Sequence, residues 1–260
     1  KKQLEEHWVI SFKGILSHDA NLRTCDHLRI LGRYVSCDEY GYHLEADARH
    51  AELLSRNLSS PVTSPCVREE EPQEGDEEQL NSDDSTLFRS LTMRAAYLSL
   101  DRPDIAYAVR RLPRHMARPT VAAMRAFKRL GRYLLHAPRL VLDFPWRKVL
   151  DKELVCDTDA DFAGCKSTRK SSSGFSANLG PYPIKFTSKS QSVVSLSTSE
   201  SEFYGLIGCV SCGLGLVQLA KDLGLELKLG CRSDATSTIV MATRRGLGKA
   251  KHIATGFMWV

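Results

Sequence analysis

The spacing of apolar positions changes several times along the 260-residue chain, and each change predicts a different kind of element. Residues 1–58 alternate short apolar groups with charges, which indicates two or three strands followed by a helix near Asp47–Leu58. Residues 86–136 are predicted to be helical. One helix begins near Pro103 and ends at Pro113, and Pro119 opens the next one.

A different pattern follows Leu150, where short β-prone runs alternate with turn-rich segments. The runs LVCDTD, GFSANL and IKFTS predict three strands. From Ser199 the apolar positions recur at three- and four-residue steps, which predicts an amphipathic helix ending at LGLE. A strand over LKLGCRSD and a short helix over ATSTIVMATRR come last. The order β-β-β-α-β-α predicts a mixed α/β domain over residues 149–260.

Charge is distributed unevenly between these regions. Residues 59–85 are rich in Ser, Pro, Gly and acids, so they are predicted to form a flexible acidic linker. Residues 67–84 carry nine acids and one Arg, a local charge of −8, so a net charge of +5 leaves +13 for the remainder. Twelve Lys or Arg and two Asp lie between Arg102 and Lys148, which suits a polyanionic partner. A second interpretation is that the acidic linker mimics nucleic acid and covers this basic region.

The predicted helix after Pro119 has an apolar side and a basic side. Its apolar side is formed by Met124, Phe127, Leu130 and Leu134. Its basic side is formed by Arg125, Lys128, Arg129 and Arg132. The basic side is either a solubilising surface or a set of phosphate contacts, and the sequence leaves both interpretations open.

Cysteine usage and the chain's apolar runs bear on the cellular environment. Among the eight cysteines only Cys209 and Cys212 have a metal-like spacing, and without a second pair they are interpreted as neighbours on an apolar helix face. We therefore expect a reducing, intracellular environment, in a cytoplasmic particle or the nucleus. No apolar run approaches the roughly 18–20 residues of a membrane helix, so no membrane span is predicted. The N-terminus does not resemble a secretory signal, and the lack of an initiator Met predicts an internal piece of a longer protein.

Three acids occupy positions that this topology can bring together. Asp159 ends the first C-terminal strand, Glu202 lies in the first turn of the long helix, and Asp234 ends the fourth strand. Carboxylates meeting at one edge could bind two Mg²⁺ ions about 3.5–4 Å apart. Each acid also has a purely structural interpretation: Asp159 in a turn, Glu202 in a capping box with Ser199, and Asp234 as a helix N-cap.

The motifs that contain these acids resemble a known family. DTDADFAGCKSTRKSSSGFSANLG, IKFTSKSQSVVSLSTSESEFYGLI, SDA and GKAKHI are similar to the ribonuclease H domain of copia-type retrotransposon Pol polyproteins. Upstream, SLTMRAAYLSLDRPDIAYAVRRLPRHMARPT and FKRLGRYLLHAP resemble the segment that joins polymerase to ribonuclease H, and EADARHAELLSRNL resembles the end of the polymerase region. The resemblance implies a reverse transcriptase remnant over 1–58, the linker over 59–85, a basic helical connection segment over 86–148, and a C-terminally truncated ribonuclease H-like domain over 149–260.

The resemblance also implies an activity, metal-dependent hydrolysis of the RNA strand of RNA–DNA hybrids. Asp159, Glu202 and Asp234 match the family's metal-binding acids for Mg²⁺ or Mn²⁺ in a two-metal site, and His252 lies near the expected place of a catalytic residue. Ala254 stands where the family has a further acid, and no polymerase Tyr-x-Asp-Asp hairpin is present. The chain is therefore expected to act with the remainder of the Pol polyprotein, the polymerase fingers and palm.

Contacts with the hybrid are expected at two places, the basic helix and the polar turn after Asp159. The turn supplies Lys166, Arg169 and Lys170. Such contacts would recognise shape, sugar hydroxyls and phosphates.

Two other functions fit the same residues. One is a catalytically inactive remnant that binds nucleic acid through the basic connection segment, which Ala254 and the missing polymerase core favour. The other is a different nuclease or an integrase on the same fold, because fold does not settle substrate.

Overall fold

The computed structural model describes residues 8–67, 73–147, 152–165, 168–243 and 253. Within these residues the chain is a mixed α/β protein with two four-stranded sheets. This agrees with the α/β class predicted from the sequence. In the order of the chain, a group of helices lies between the third and fourth strands of the first sheet.

The first sheet is an antiparallel meander in the order β1-β2-β3-β4. Its strands are β1 (His27–Ile30), β2 (Arg33–Cys37), β3 (Gly41–Ala46) and β4 (Val141–Pro145). The first three confirm the predicted N-terminal strands. β4 was not predicted, because it is only five residues long and its partner β3 lies far away in the sequence. The segments predicted as 1–58 and 86–148 therefore share one sheet.

Four α-helices and a short 3₁₀ turn form the helical core. They are α1 (Ala48–Ser55), α2 (Ser82–Leu98), α3 (Pro103–Arg111), the 3₁₀ turn (Leu112–His115) and α4 (Val121–His136). The predicted positions of Pro103 and Pro113 are confirmed, and Thr120 caps α4 by accepting from the backbone N–H of Ala123. Phe127 and Leu130 of α4 are buried, as its predicted apolar side requires.

Part of the segment predicted to be a linker, residues 82–85, belongs to a helix. α2 begins at Ser82 rather than after Ser85, because the Asn81 side chain accepts from the backbone N–H of Asp84 at 2.8 Å and caps the helix. Just before it, Glu78 O accepts from Val121 N at 3.0 Å. The acidic segment thus supplies acceptors for the free N–H groups in the first turn of α4.

The second sheet has the order β7-β6-β5-β8, with β8 parallel to β5 and the other pairs antiparallel. Its strands are β5 (Glu153–Asp161), β6 (Ser172–Leu179), β7 (Tyr182–Ser190) and β8 (Lys228–Ser233). The long helix α5 (Thr198–Asp222) connects β7 to β8, and α6 (Thr236–Thr243) follows. The predicted order of elements is therefore confirmed for this part of the chain.

Glycines allow α5 to lie close to the sheet. A Cβ at Gly205 would lie 3.2 Å from Thr158 Oγ1, and a Cβ at Gly213 would lie 3.2 Å from Cys156 Sγ. A larger residue at either position would push the helix away from β5. The glycines lower helix propensity, as the sequence indicates, but two of them let α5 pack closely against β5, the strand that carries Asp159.

Within the described residues, α5 is one helix that by length and composition alone could cross a membrane. Only 33% of its most apolar window is buried inside the protein. Two of its buried residues show what it packs against: Cys209 packs with residues of the second sheet, and Phe203 packs with Ile253. Because a helix that covers a sheet passes the same test, the length of α5 is weak evidence for a membrane span.

Candidate carboxylate site

Three elements of the second sheet bring three acids together at one edge. Asp159 lies near the end of β5, Asp234 directly follows β8, and Glu202 lies in the first turns of α5. Because β5 and β8 are parallel, their carboxyl ends meet at the same edge. One carboxylate oxygen from each of the three residues lies within 4.8 Å of the other two. The arrangement matches the juxtaposition expected from the sequence.

Glu202 is the buried member of the trio, with 5% of its surface exposed. Its Oε1 accepts from the backbone N–H of Ala160 at 3.1 Å, while Oε2 is buried and has no hydrogen-bond partner within the described part of the chain. Burial raises the pKa of Glu202, and the charges of Asp159 and Asp234 raise it further. A buried carboxylate oxygen without a donor, facing two further acids, is a site that a cation would stabilise.

The capping interpretation of Glu202 is wrong. The N-cap of α5 is Ser197, whose Oγ accepts from the backbone N–H of Glu200 at 3.2 Å. The Glu200 carboxylate in turn accepts from Leu196 N at 2.9 Å. The sequence contains two overlapping Ser-x-x-Glu patterns, and the pair that caps the helix is the first one. Glu202 is therefore not needed by the helix end.

The structural interpretations of the other two acids also change. Asp159 is not in a turn, since β5 continues to Asp161 and Asp159 pairs with Gly174 of β6. After β8, Ser233 Oγ accepts from Ala235 N at 3.3 Å, and α6 begins at Thr236. Asp234 therefore lies two residues ahead of the first helical residue. Both carboxylates are exposed at the sheet edge beside Glu202.

A groove of about 890 Å³ lies beside Asp159, between α3 and the second sheet. Five consecutive residues of β5, from Asp157 to Asp161, are among its lining residues. Tyr107 of α3 lines the other side, and its hydroxyl lies 3.4 Å from Asp161 Oδ2. No sequence pattern indicates Tyr107, because Tyr107 and Asp161 come from elements that only the tertiary structure brings together.

Some predicted residues lie outside the described part of the chain, namely His252, Lys166 and Ala254. Ile253, next to His252, is described and buried, in a cluster with Phe203 and Ile207 of α5. Arg169 and Lys170 lie in the loop between β5 and β6, where the backbone of each bonds to Cys165. Arg169 has a φ of 55°, a left-handed conformation within this tight turn.

The basic residues of α4 line a second groove, of about 700 Å³, together with residues from the region 57–73. They are Arg125, Lys128, Arg129 and Arg132. Arg125 is held by the acidic segment, since its Nη2 donates to Asp76 Oδ2 at 2.7 Å. Arg132 Nε donates to Ser60 O at 2.6 Å, whereas Lys128 is exposed. The basic side predicted for α4 is thus partly engaged by the chain itself.

Comparison with known proteins gives the family. The retrovirus-related Pol polyprotein from transposon RE1 of Arabidopsis thaliana is 30% identical over 227 residues, which are 85% of this chain and 15% of that protein. Transposon RE2 of the same plant gives 29% identity over the same shares. The Pol polyprotein from transposon TNT 1-94 of Nicotiana tabacum is 32% identical over 163 residues, 61% of this chain and 12% of that protein. No protein-family model matches the chain.

The chain belongs to the retrovirus-related Pol polyproteins of copia-type transposons. It spans about 15% of the length of the first two relatives, so it corresponds to a fragment of such a polyprotein. The family resemblance of the motifs is thereby confirmed.

Proposed function

We propose that this fragment of a polyprotein contains a ribonuclease H-like domain, over residues 149–260, that hydrolyses the RNA strand of RNA–DNA hybrids with Mg²⁺ or Mn²⁺. The observation that carries the proposal is the convergence of Asp159, Glu202 and Asp234 within 4.8 Å of one another. An acidic trio at the carboxyl ends of two parallel strands supplies the oxygen ligands that these ions prefer.

The residues present fit a divalent cation. Three carboxylates give hard oxygen donors, and the unpartnered Oε2 of Glu202 is the orphaned buried atom that a ligated ion would satisfy. Bound ions of this kind activate a water and stabilise the leaving oxygen of a phosphodiester, in a two-metal arrangement. Asp159 and Asp234, at the exposed side, are the ligands that a substrate phosphate would approach first.

The protein contributes orientation at this site. The Ala160 N–H binds one oxygen of Glu202 and so orients this carboxylate beside the two aspartates. Packing of Phe203 and Ile207 beside Ile253 holds the first turns of α5 in place. His252, the residue before Ile253, remains a predicted catalytic residue of the proposed site.

Nucleic-acid contacts are proposed at two places, the basic side of α4 and the loop after β5. Lys128, Arg129 and Arg132 of α4 offer cations to a phosphate backbone, with Arg125 available once its pairing with Asp76 is released. Arg169 and Lys170 follow β5 beyond Asp159. The remainder of the Pol polyprotein, with its polymerase fingers and palm, is the proposed protein partner.

A second candidate function is a catalytically inactive fragment that binds nucleic acid. The basic groove on α4 favours it, because the described residues that line this groove include four cations and no carboxylate. Ala254, in place of the family's further acid, points the same way.

One experiment separates the two functions. Purified protein is incubated with labelled hybrid and Mg²⁺ or Mn²⁺, beside the variants Asp159→Asn and Asp157→Asn. Asp157 is the matched control, since it lies on the same side of β5 but outside the trio. We expect cleavage by the parent and by Asp157→Asn, and a loss of at least about 100-fold in Asp159→Asn. Equal cleavage by all three proteins would reject the site, and salt-sensitive binding without cleavage would support the second function.

A further inference from the structure

The end of α3 meets the last residue of β7 through two arginines. Arg110 Nη1 donates to Ser190 Oγ at 2.8 Å, and Arg114 Nη2 donates to the same oxygen at 2.6 Å. Two guanidinium groups therefore converge on one neutral hydroxyl. Neither arginine forms an ion pair with a carboxylate among the residues that the structure describes.

Arg110 has an aromatic neighbour and no carboxylate in an ion pair with it among the described residues: its guanidinium carbon lies 5.0 Å from the centre of the Tyr107 ring. Its Nε is buried and has no acceptor within the described residues. Burial lowers the pKa of Arg110, and the neighbouring charge of Arg114 lowers it further. Asp161 acts in the opposite direction, but the Asp161 carboxylate already lies within hydrogen-bond distance of the Tyr107 hydroxyl. An anion bound between the two arginines would relieve this like-charge arrangement.

The surroundings are also positive. A groove of about 720 Å³ runs between α3 and β7, and its lining includes Arg110 and the exposed residues Lys185 and Lys189. The carboxylate in its lining is Asp101, which accepts from Arg33 Nε at 2.6 Å. The groove therefore has an excess of positive charge and no unpaired acid among its lining residues.

We propose that Arg110 and Arg114, together with Ser190, bind a phosphodiester group of the nucleic-acid backbone. A planar guanidinium group offers two parallel N–H donors to phosphate oxygens. Because the guanidinium groups of both arginines meet at Ser190 Oγ, one phosphate bound there could accept hydrogen bonds from both. The Ser190 hydroxyl, which accepts in this structure, turns to donate when a phosphate oxygen takes its place. This inference rests on the proposed function, because it takes the RNA–DNA hybrid as the ligand.

The position of the pair fits a strand that also reaches the carboxylate site. Asp159 of β5 pairs with Gly174 of β6, which pairs with Ser188 of β7, two residues before Ser190. With strands about 4.8 Å apart and about 3.4 Å per residue, Ser190 lies about 12 Å from Asp159. At about 3.4 Å of rise per nucleotide, that is about three to four steps along one strand. The arginine pair thus contacts the backbone outside the reacting phosphodiester and links the helical region to the C-terminal sheet.

The test measures binding of labelled RNA–DNA hybrid to the full chain in EDTA, so that no cleavage occurs, over a series of salt concentrations. The variants are Arg114→Gln and Arg110→Lys, and the matched control is Lys221→Gln, an exposed cation at the end of α5 outside the groove. Arg114 is exposed, so its replacement leaves the core unchanged. We expect Arg114→Gln to reduce the slope of log K against log salt by about 0.7–0.9, and to weaken binding about tenfold at low salt. Arg110→Lys keeps the charge and therefore the slope, but loses the fork and weakens binding.

The outcomes separate this inference from the proposed function. An unchanged slope in Arg114→Gln, an equal loss in Lys221→Gln, or no binding of hybrid by the parent each overturns the inference. Cleavage by the parent with an unchanged slope in Arg114→Gln leaves the nuclease proposal standing alone. Conversely, an altered slope together with no cleavage by the parent supports the phosphate site and rejects the nuclease.

Discussion

Replacing Glu202 by Gln should stabilise the metal-free protein at neutral pH. Burial and the charges of Asp159 and Asp234 raise the pKa of Glu202, so its ionised form is unfavourable in the folded state. Gln has nearly the same shape and keeps an oxygen for the Ala160 N–H. The variant therefore removes the charge while preserving the packing of α5.

The size of the effect follows from the geometry of the trio. Two unit charges at the 4.8 Å limit repel by about 3.5 kcal/mol at an effective dielectric constant of about 20, and by about 0.9 kcal/mol at about 80. Because Asp159 and Asp234 are exposed, their repulsion lies toward the lower value. With two such neighbours we expect Glu202→Gln to raise the free energy of unfolding by about 1–3 kcal/mol.

Urea unfolding at several pH values, in EDTA and then with Mg²⁺, measures this effect. A raised pKa means that the folded protein loses stability as pH rises above the ordinary value of 4.5, so the advantage of Glu202→Gln should grow as pH rises toward 7 and vanish near about pH 4. Saturating Mg²⁺ should reverse the order, since a ligand at about 100 times its dissociation constant stabilises the parent by about 2.7 kcal/mol. Asp157→Asn is the control and should follow the parent.

The result that would refute the reasoning is a Glu202→Gln protein less stable than the parent at pH 7 without metal. Such a protein would mean that the buried carboxylate is satisfied by the chain itself. An equal response of parent and variant to Mg²⁺ would likewise show that the ion binds elsewhere.

Two further predictions concern stability away from the site. In Gly208→Ala of α5 the added Cβ meets no atom within 4 Å, so this variant should be more stable by about 1 kcal/mol. In Gly131→Ala of α4 the added Cβ would lie 2.7 Å from Leu54 O, so this variant should be less stable. Thermal unfolding of both variants checks this, and stabilisation by both would contradict the close contact at Gly131. Asp47 caps α1, and its bond to Arg49 lowers its pKa from 3.8 to about 2, so Asp47→Asn should cost about 2 kcal/mol at pH 7. That difference should shrink as pH falls from about 4 toward about 2 in urea unfolding, and a difference that does not depend on pH would show that the charge is not responsible.

Much of this protein was determined by local sequence alone. The periodicity of apolar residues predicts the three N-terminal strands, the basic helix α4 and the order of elements after Leu150, because each of these patterns spans a single element. The same reasoning predicts that Asp159, Glu202 and Asp234 sit at element ends. Both conclusions depend on neighbours a few residues apart.

Tertiary structure decided what local patterns left open. Two Ser-x-x-Glu patterns compete to cap α5, and only the bond from Leu196 to the Glu200 carboxylate shows which one does, leaving Glu202 to face the aspartates. The pairing of β4 with β3 and the docking of Arg110 on Ser190 join residues from distant parts of the chain. Such contacts depend on how elements pack against one another, and periodicity carries no information about packing between elements.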